Sequence, residues 1–264
     1  MSVSPSVLPH SVIVTRLRAA GCVFAENEAD LLLSTARTPA ELAAMVDQRI
    51  AGLPLEHVLG WAEFRGLRVA VDPEVFVPRR RTEFLVEQAV GLASPGAVVV
   101  DLCCGSGALG VALSAAVDGV ELYAADVEPA AVRCARRNVV AVGGQVFEGD
   151  LFEPLPVTLQ GRIEILLSNV PYVPTEEVRL LPPEARIHEP RVTLDGGSDG
   201  LEVLRRVTAA APLWLAPGGH LLVETSERQA PLAAEILTRD GLIPRVATSE
   251  ELNATVVIGT RPAS

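Results

Sequence analysis

Lysine is missing altogether: the 22 basic side chains of this 264-residue chain are all arginine. The usual phosphate-binding loop, whose lysine reaches the terminal phosphates, is thereby excluded, as are Schiff-base and lysine general-acid chemistry. Metal-ligand patterning is missing too. The four cysteines (Cys22, Cys103, Cys104, Cys134) form no CxxC pair and the four histidines no cluster, so no zinc site is indicated. The adjacent Cys103 and Cys104 suit small buried residues beside a glycine-rich loop better than a disulfide. Positive charge is scarce: 33 acidic residues against 22 basic give a net charge of −11. That argues against broad tracking of a phosphate backbone, although an acidic total does not exclude a local basic groove. Long apolar runs are absent as well. The most apolar window, residues 209–223, is broken by Pro212, Pro217 and Gly218-Gly219, short of the ~20 residues of a membrane helix. The N-terminus lacks the cationic start, apolar stretch and cleavage site of a secretory signal. The expectation is a soluble, reduced, cytoplasmic protein.

What is present is core material. Hydrophobic residues make up 49% of the chain, enough for one large domain, or for a full domain with a smaller one. Residues 1–58 read as helical. Val12, Leu17 and Ala20 recur near helical spacing, a second run covers residues 26–37, and Thr38-Pro39-Ala40-Glu41 offers a cap, a first-position proline and an acid before Leu42, Met45, Val46 and Ile50. Residues 59–78 read as a hairpin linker, with short β-like pieces separated by Gly66 and Asp72-Pro73. A helix is predicted over about 82–92. From residue 97 onward strands and helices alternate, beginning with the unbroken apolar run Ala97-Val98-Val99-Val100. Two late strands, near 242–247 and 255–259, are separated by too few residues for a helical crossover, so that pair is predicted antiparallel. The result is an α/β, doubly wound parallel sheet, whose ligands sit at the carboxyl ends of the strands.

Two segments at such strand ends carry chemistry. Asp101-Leu102-Cys103-Cys104-Gly105-Ser106-Gly107-Ala108-Leu109-Gly110 follows the first strand of the sheet and formally contains GxGxxG, with Asp126 after the next strand. Taken alone this suits any adenosine-containing cofactor, or simply a tight turn with packing glycines. Asp101 tips the balance: a carboxylate directly ahead of the loop is poorly placed for a pyrophosphate and well suited to a cationic methionine end. Ser168-Asn169-Val170-Pro171-Tyr172 follows an apolar strand and sits where this fold places active sites. Its alternative reading is a turn in which Asn169 bonds locally and Tyr172 caps the core.

In order, the chain carries Pro78-Arg79-Arg80-Arg81-Thr82-Glu83, Asp101 to Gly107, Ala125-Asp126-Val127, Gly149-Asp150-Leu151-Phe152, Ser168 to Tyr172, Glu189-Pro190 and Gly196-Gly197-Ser198-Asp199-Gly200-Leu201. It thereby resembles the HemK/PrmC family, S-adenosylmethionine-dependent methyltransferases that modify the glutamine side-chain amide of peptide-chain release factors. The corresponding family motifs include PRPxTE, DLGTGSG, SNPPY, EP and GGxDGL, and the resemblance runs over residues 53–257. It implies a Rossmann-like class I methyltransferase sheet with an antiparallel last strand over residues 79–264, joined by the 59–78 hairpin to a small helical substrate-binding domain over 1–58. Three departures from the family matter: Cys103 replaces the first loop glycine, Val170 the first proline of NPPY, and Glu164 stands where aspartate is frequent.

The resemblance also implies roles. Amide methylation needs the nitrogen oriented towards the sulfonium methyl and its partly pyramidal form favoured. The Asn169 side-chain oxygen and the Val170 carbonyl are the expected acceptors for its N–H bonds, within the Asn169-Val170-Pro171-Tyr172 turn, and Tyr172 is expected to pack on the amide. S-adenosylmethionine is expected along Cys103, Cys104, Gly105, Ser106, Gly107 and Asn169, with Asp101 towards its cationic end, Asp126 on the ribose hydroxyls and Asp150-Leu151 beside the adenine. Thr82, with Arg79 as a candidate, is expected near the methionine carboxylate. Arg80 and Arg81 read as a solvated basic turn. Glu189 and Asp199 read either as walls of the glutamine pocket or as capping and loop residues. The competing functions are an N6-adenine nucleic-acid methyltransferase, for which the charge is unfavourable, a cofactor-binding but catalytically weak relative, and a nicotinamide oxidoreductase, which would leave the acceptor turn unexplained.

Overall fold

The computed structural model describes residues 8–263, so the first seven residues of the predicted helical segment, and with them the start of the N-terminus read above for a signal, lie outside the described residues. Four helices come first: α1 (His10–Ala19), α2 (Ala25–Thr35), α3 (Pro39–Ile50) and the short α4 (Leu55–Leu59). Their inner faces, among them Ile13, Leu17, Ala29, Leu32, Leu42 and Val46, form a cluster of their own. The start of α3 follows its sequence signal. Thr38 Oγ1 accepts from the Glu41 N–H at 3.1 Å, Pro39 occupies the first turn, and Glu41 reaches back to the Arg37 N–H at 2.8 Å. The sequence pattern did not signal α4, which lasts barely more than one turn before Gly60 ends it in the left-handed region.

A two-stranded hairpin follows, β1 (Trp61–Phe64) with β2 (Leu67–Ala70), antiparallel. Arg65 and Gly66 both have positive φ (49° and 73°), the two-residue turn whose twist matches the strands. A 3-10 turn then leads into α5 (Glu83–Val90), so the helix predicted from residue 82 begins as a tighter coil.

The remainder alternates: β3 (Val98–Leu102), α6 (Ala108–Ala116), β4 (Glu121–Asp126), α7 (Pro129–Val139), β5 (Gln145–Glu148), β6 (Ile163–Ser168), α8 (Pro183–His188), α9 (Glu202–Trp214), β7 (Leu215–Thr225), α10 (Ala230–Arg239), β8 (Ile243–Ser249) and β9 (Ala254–Thr260). Seven strands form one sheet in the order β5-β4-β3-β6-β7-β9-β8. All neighbours from β5 through β7 are parallel, while β9 slots between β7 and β8 and runs antiparallel to both. The last strand is therefore antiparallel, as the short 250–253 connection requires. Helices cover both faces, and β3, buried along its whole length, lies between two apolar layers. No helix among the described residues is long and apolar enough to cross a membrane.

The strand order reverses between β3 and β6, because β4 extends the sheet one way and β6 the other. That switch point opens a crevice at the strands' carboxyl ends. Leu102, at the end of β3, is paired with Ser168, at the end of β6, which sets the two chemical segments side by side.

Candidate active site

A cavity of about 360 Å³ occupies the crevice. Of the residues singled out in the sequence, Thr82, Cys103, Cys104, Gly105, Ser106, Asp126, Asp150, Leu151, Asn169, Val170, Pro171 and Tyr172 all line it. Asp101 and Gly107 stand behind its wall. Asp101 is 1% exposed, its Oδ2 accepts from the Gly110 N–H at 3.0 Å, and its Oδ1 has no partner among the described residues. Burial pushes its carboxyl up to about 8, and the nearby Asp126 adds to the effect. Gly107 opens α6 at φ 77°, where a Cβ would lie 2.6 Å from a Val139 methyl, so its glycine serves close packing against α7.

The loop between β3 and α6 is held by main-chain bonds. The Cys104 N–H donates to the Ala125 carbonyl, and the Gly107 N–H to the Cys104 carbonyl. The Gly105 N–H donates to Asp126 Oδ2 at 2.8 Å, while Asp126 Oδ1 accepts from the Glu128 N–H at 2.9 Å. Asp126 thus shapes the loop and still presents free lone pairs to the cavity it lines. Cys103 adopts φ 54°, a left-handed conformation costing a side-chain-bearing residue about 1–2 kcal/mol. Burial pushes its thiol well up, which disfavours the thiolate. At the far edge Asp150 pairs with Arg206 of α9 at 2.6 Å.

The turn after β6 is built differently. Asn169 Oδ1 is buried and has no hydrogen-bond partner among the described residues, and the same holds for Thr82 Oγ1. Val170 is 2% exposed and packs into the core layer that includes Leu102, Leu201 and Val223. The side chain at 170 therefore does more than stiffen the backbone, since it anchors the turn. The Tyr172 carbonyl accepts from Gln229 Nε2 at 3.0 Å, and its hydroxyl donates to Glu224 Oε1 at 2.8 Å. Against this turn lies the 196–201 loop, so close that a Cβ on Gly200 would sit 2.3 Å from the Tyr172 carbonyl oxygen.

Several other readings change in the structure. Arg81 is no free surface cation: Nε donates to Glu224 Oε1 at 3.0 Å and Nη2 to the Tyr172 hydroxyl at 2.8 Å. Arg80, by contrast, is exposed, as predicted. Arg79 and Glu189, both on the cavity wall, are paired through Arg79 Nη2 at 2.6 and 2.7 Å, and the Val77 N–H also donates to Glu189. Asp199 takes the loop-and-cap role, accepting from the Leu201 N–H and pairing with Arg205, which holds its carboxyl at about 2. Arg206, Glu224, Gln229 and Glu184 had not been singled out. Glu224 did carry a signal, an acid at the carboxyl end of an apolar strand, the same position that marks Asp126.

The methyltransferase small domain family model matches residues 68–208. A release factor glutamine methyltransferase of Geobacter sulfurreducens is 40% identical over 228 residues, 84% of this chain and 79% of its own length. One from Gloeobacter violaceus is 41% identical over 76% of this chain and 71% of its own. Among solved structures, a methyltransferase from Pyrococcus furiosus superimposes with a TM-score of 0.57 at 15% identity, covering 75% of this chain and 90% of that one, a likeness of fold.

Proposed function

Because the chain belongs to the family of release factor glutamine methyltransferases, we propose that it transfers a methyl group from S-adenosylmethionine to the side-chain amide nitrogen of a glutamine in a peptide-chain release factor. The observation that carries this reading is Asn169 Oδ1, a buried acceptor without a partner among the described residues, on a residue that lines the same cavity as an adenosine-type loop. An orphaned buried acceptor costs about 1–3 kcal/mol, which is recovered when a substrate N–H reaches it.

The residues fit the cofactor. Asp126 offers carboxylate lone pairs at the end of β4, Leu151 and Asp150 border the same cavity, and Thr82, also on its wall, has a buried Oγ1 with no partner among the described residues. The buried Asp101 carboxyl, held protonated by its burial, stands behind the loop where a cationic ligand would favour its ionised form. When bound, the cofactor supplies an electrophilic sulfonium methyl. The chain's own part is orientation. Asn169 Oδ1 and the Val170 carbonyl accept the two amide N–H bonds, drawing the nitrogen lone pair out of conjugation and aiming it at the methyl. Transfer would form an N–C bond at the expense of the S–C bond, and the proton that the amide loses would pass to water. Tyr172 walls the substrate side.

The release factor is read as the partner and residues 1–58 as its binding domain, the hairpin at 59–78 as the linker and residues 79–264 as the transfer domain. Two contacts support that division of labour. Arg49 of α3 donates to Glu184 of α8 at 2.6 Å, and Pro54 and Glu56 border the cavity, so the helical segment sits at its mouth. The proposed place of action is the cytoplasm, where release factors work. The test is transfer of labelled methyl groups to purified release factors, to other protein and to nucleic acid in parallel. Label on release factor alone is the expected outcome. Label on nucleic acid establishes the adenine reading instead.

A further inference from the structure

Three side chains from distant parts of the chain close a triangle around the Tyr172 hydroxyl. Tyr172 donates to Glu224 Oε1 at 2.8 Å, Arg81 Nη2 donates to the hydroxyl at 2.8 Å, and Arg81 Nε donates to Glu224 Oε1 at 3.0 Å. The Glu224 side chain is 2% exposed, and its second oxygen, Oε2, is buried with no partner among the described residues. A buried carboxylate requires a charge partner, and Arg81 supplies it from a half-exposed position on the cavity wall.

The triangle has a chemical consequence. The phenol proton is committed to Glu224, and one oxygen lone pair to Arg81, so the hydroxyl is not available to donate into the cavity. Burial and the adjacent Glu224 carboxylate both push the Tyr172 phenol up, which removes it from acid–base work. What remains for Tyr172 is its ring, as a fixed wall beside Asn169 and Val170. The backbone end of the residue is fixed separately, by the Gln229 amide on its carbonyl.

We propose that Arg81 and Glu224 are positioning residues for methyl transfer, acting through the Tyr172 hydroxyl to hold the acceptor turn. The proposal rests on the methyltransferase reading above for its activity readout, but not for the contact itself. Releasing the ring lets the turn shift, and misplacements of about 1 Å at a reacting centre cost up to about 100-fold in rate. Arg81→Ala is expected to slow single-turnover transfer about tenfold at saturating cofactor, with cofactor Kd changed less than threefold. Tyr172→Phe loses the hydroxyl's bonds to both Arg81 and Glu224 and is expected to slow transfer comparably.

The decisive experiment combines a double-mutant cycle with labelled tyrosine. If Arg81 acts through the hydroxyl, Arg81→Ala with Tyr172→Phe is no slower than the slower single variant. Losses that multiply overturn the proposal, because Arg81 then acts on substrate or cofactor by itself. The chain has two tyrosines, so protein carrying ring-labelled tyrosine gives two NMR signals, assigned with Tyr123→Phe. The Tyr172 signal is expected to move in Arg81→Ala and in Glu224→Gln while that of Tyr123 stays put, and Arg81→Lys is expected to bring it part of the way back. A Tyr172 signal that stays in place in both variants overturns the proposal, whatever the enzyme's activity. A wild-type chain that methylates no glutamine defeats the functional reading instead, and the ring signals still decide the contact.

Discussion

The two ends of the cavity are held in place by different means. Around the 101–107 loop, the fixing partners are the loop's own backbone, the neighbouring strand β4 and one carboxylate, Asp126, at that strand's end. Around the 168–172 turn, they are side chains from far along the chain: Arg81 from before α5, Glu224 from β7 and Gln229 from the start of α10. A loop fixed by its backbone tolerates a changed side chain, as at Cys103. A turn fixed by side chains does not share that tolerance, and its one departure, Val170, keeps a buried apolar group where the family has proline. The cofactor end thus depends on geometry and the acceptor end on chemistry.

The sharpest way to break this comparison is Asn169→Ala. Removing the acceptor proposed for the transition state is expected to lower single-turnover transfer by about 100-fold or more, while cofactor affinity measured by calorimetry stays within about threefold. A large loss of affinity in that variant would place Asn169 at the cofactor end. Asp126→Ala is expected to do the reverse. It removes hydrogen bonds to a charged group worth about 1.5–3 kcal/mol each and leaves the Gly105 and Glu128 N–H groups without their acceptor, so cofactor affinity falls at least about tenfold and the melting temperature falls with it.

Legibility in the sequence follows the same divide. The loop, its preceding strand, Asp126 and the antiparallel last strand were readable because each depends on residues close together in the chain: an apolar run, spaced glycines, a connection too short for a helix. The N-terminal cap at Thr38 was readable for the same reason. The supports of the acceptor turn were not. Arg81 looked like one of three solvated arginines because its partners lie 143 and 91 residues away. Gln229 and Arg206 carried no local signal, and α8 together with its flanking 3-10 turns lies in a proline-rich stretch without periodicity. The Arg79–Glu189 pair joins two motifs that were each visible, yet only their distance in space shows that they neutralise one another.

The pH dependence of binding offers a third test, confined to the cofactor end. Asp101 has a folded-state pKa raised to about 8, far above the ordinary carboxylate value. Without ligand the folded chain therefore holds a proton that the unfolded chain has lost between about pH 4 and 8, so stability is expected to fall as pH rises through that window. A cationic ligand favours the ionised carboxyl. Cofactor affinity is accordingly expected to rise with pH, by up to about tenfold per unit below pH 8, and to level off above it. Asp101→Asn should flatten that profile. A flat wild-type profile would show that Asp101 does not sense the ligand's charge.

The smallest expected effect is at the acceptor end. Val170→Pro keeps the main-chain carbonyl, fixes φ and leaves an apolar ring of similar size in the buried position, so transfer and stability should each change by no more than about 1 kcal/mol. A dead Val170→Pro enzyme would mean that the buried valine side chain, rather than the carbonyl, is what the turn supplies.

The role proposed for the buried oxygen of Asn169 is to orient a glutamine amide nitrogen. It is tested most directly by fragment mass spectrometry of a release factor after incubation with the enzyme and S-adenosylmethionine. One methyl group on the side-chain amide of the glutamine in its Gly-Gly-Gln loop, and none after incubation with Asn169→Ala over the same time, is the predicted result. A methyl group on a carboxylate, an arginine or the backbone, or an undiminished yield with Asn169→Ala, would contradict it.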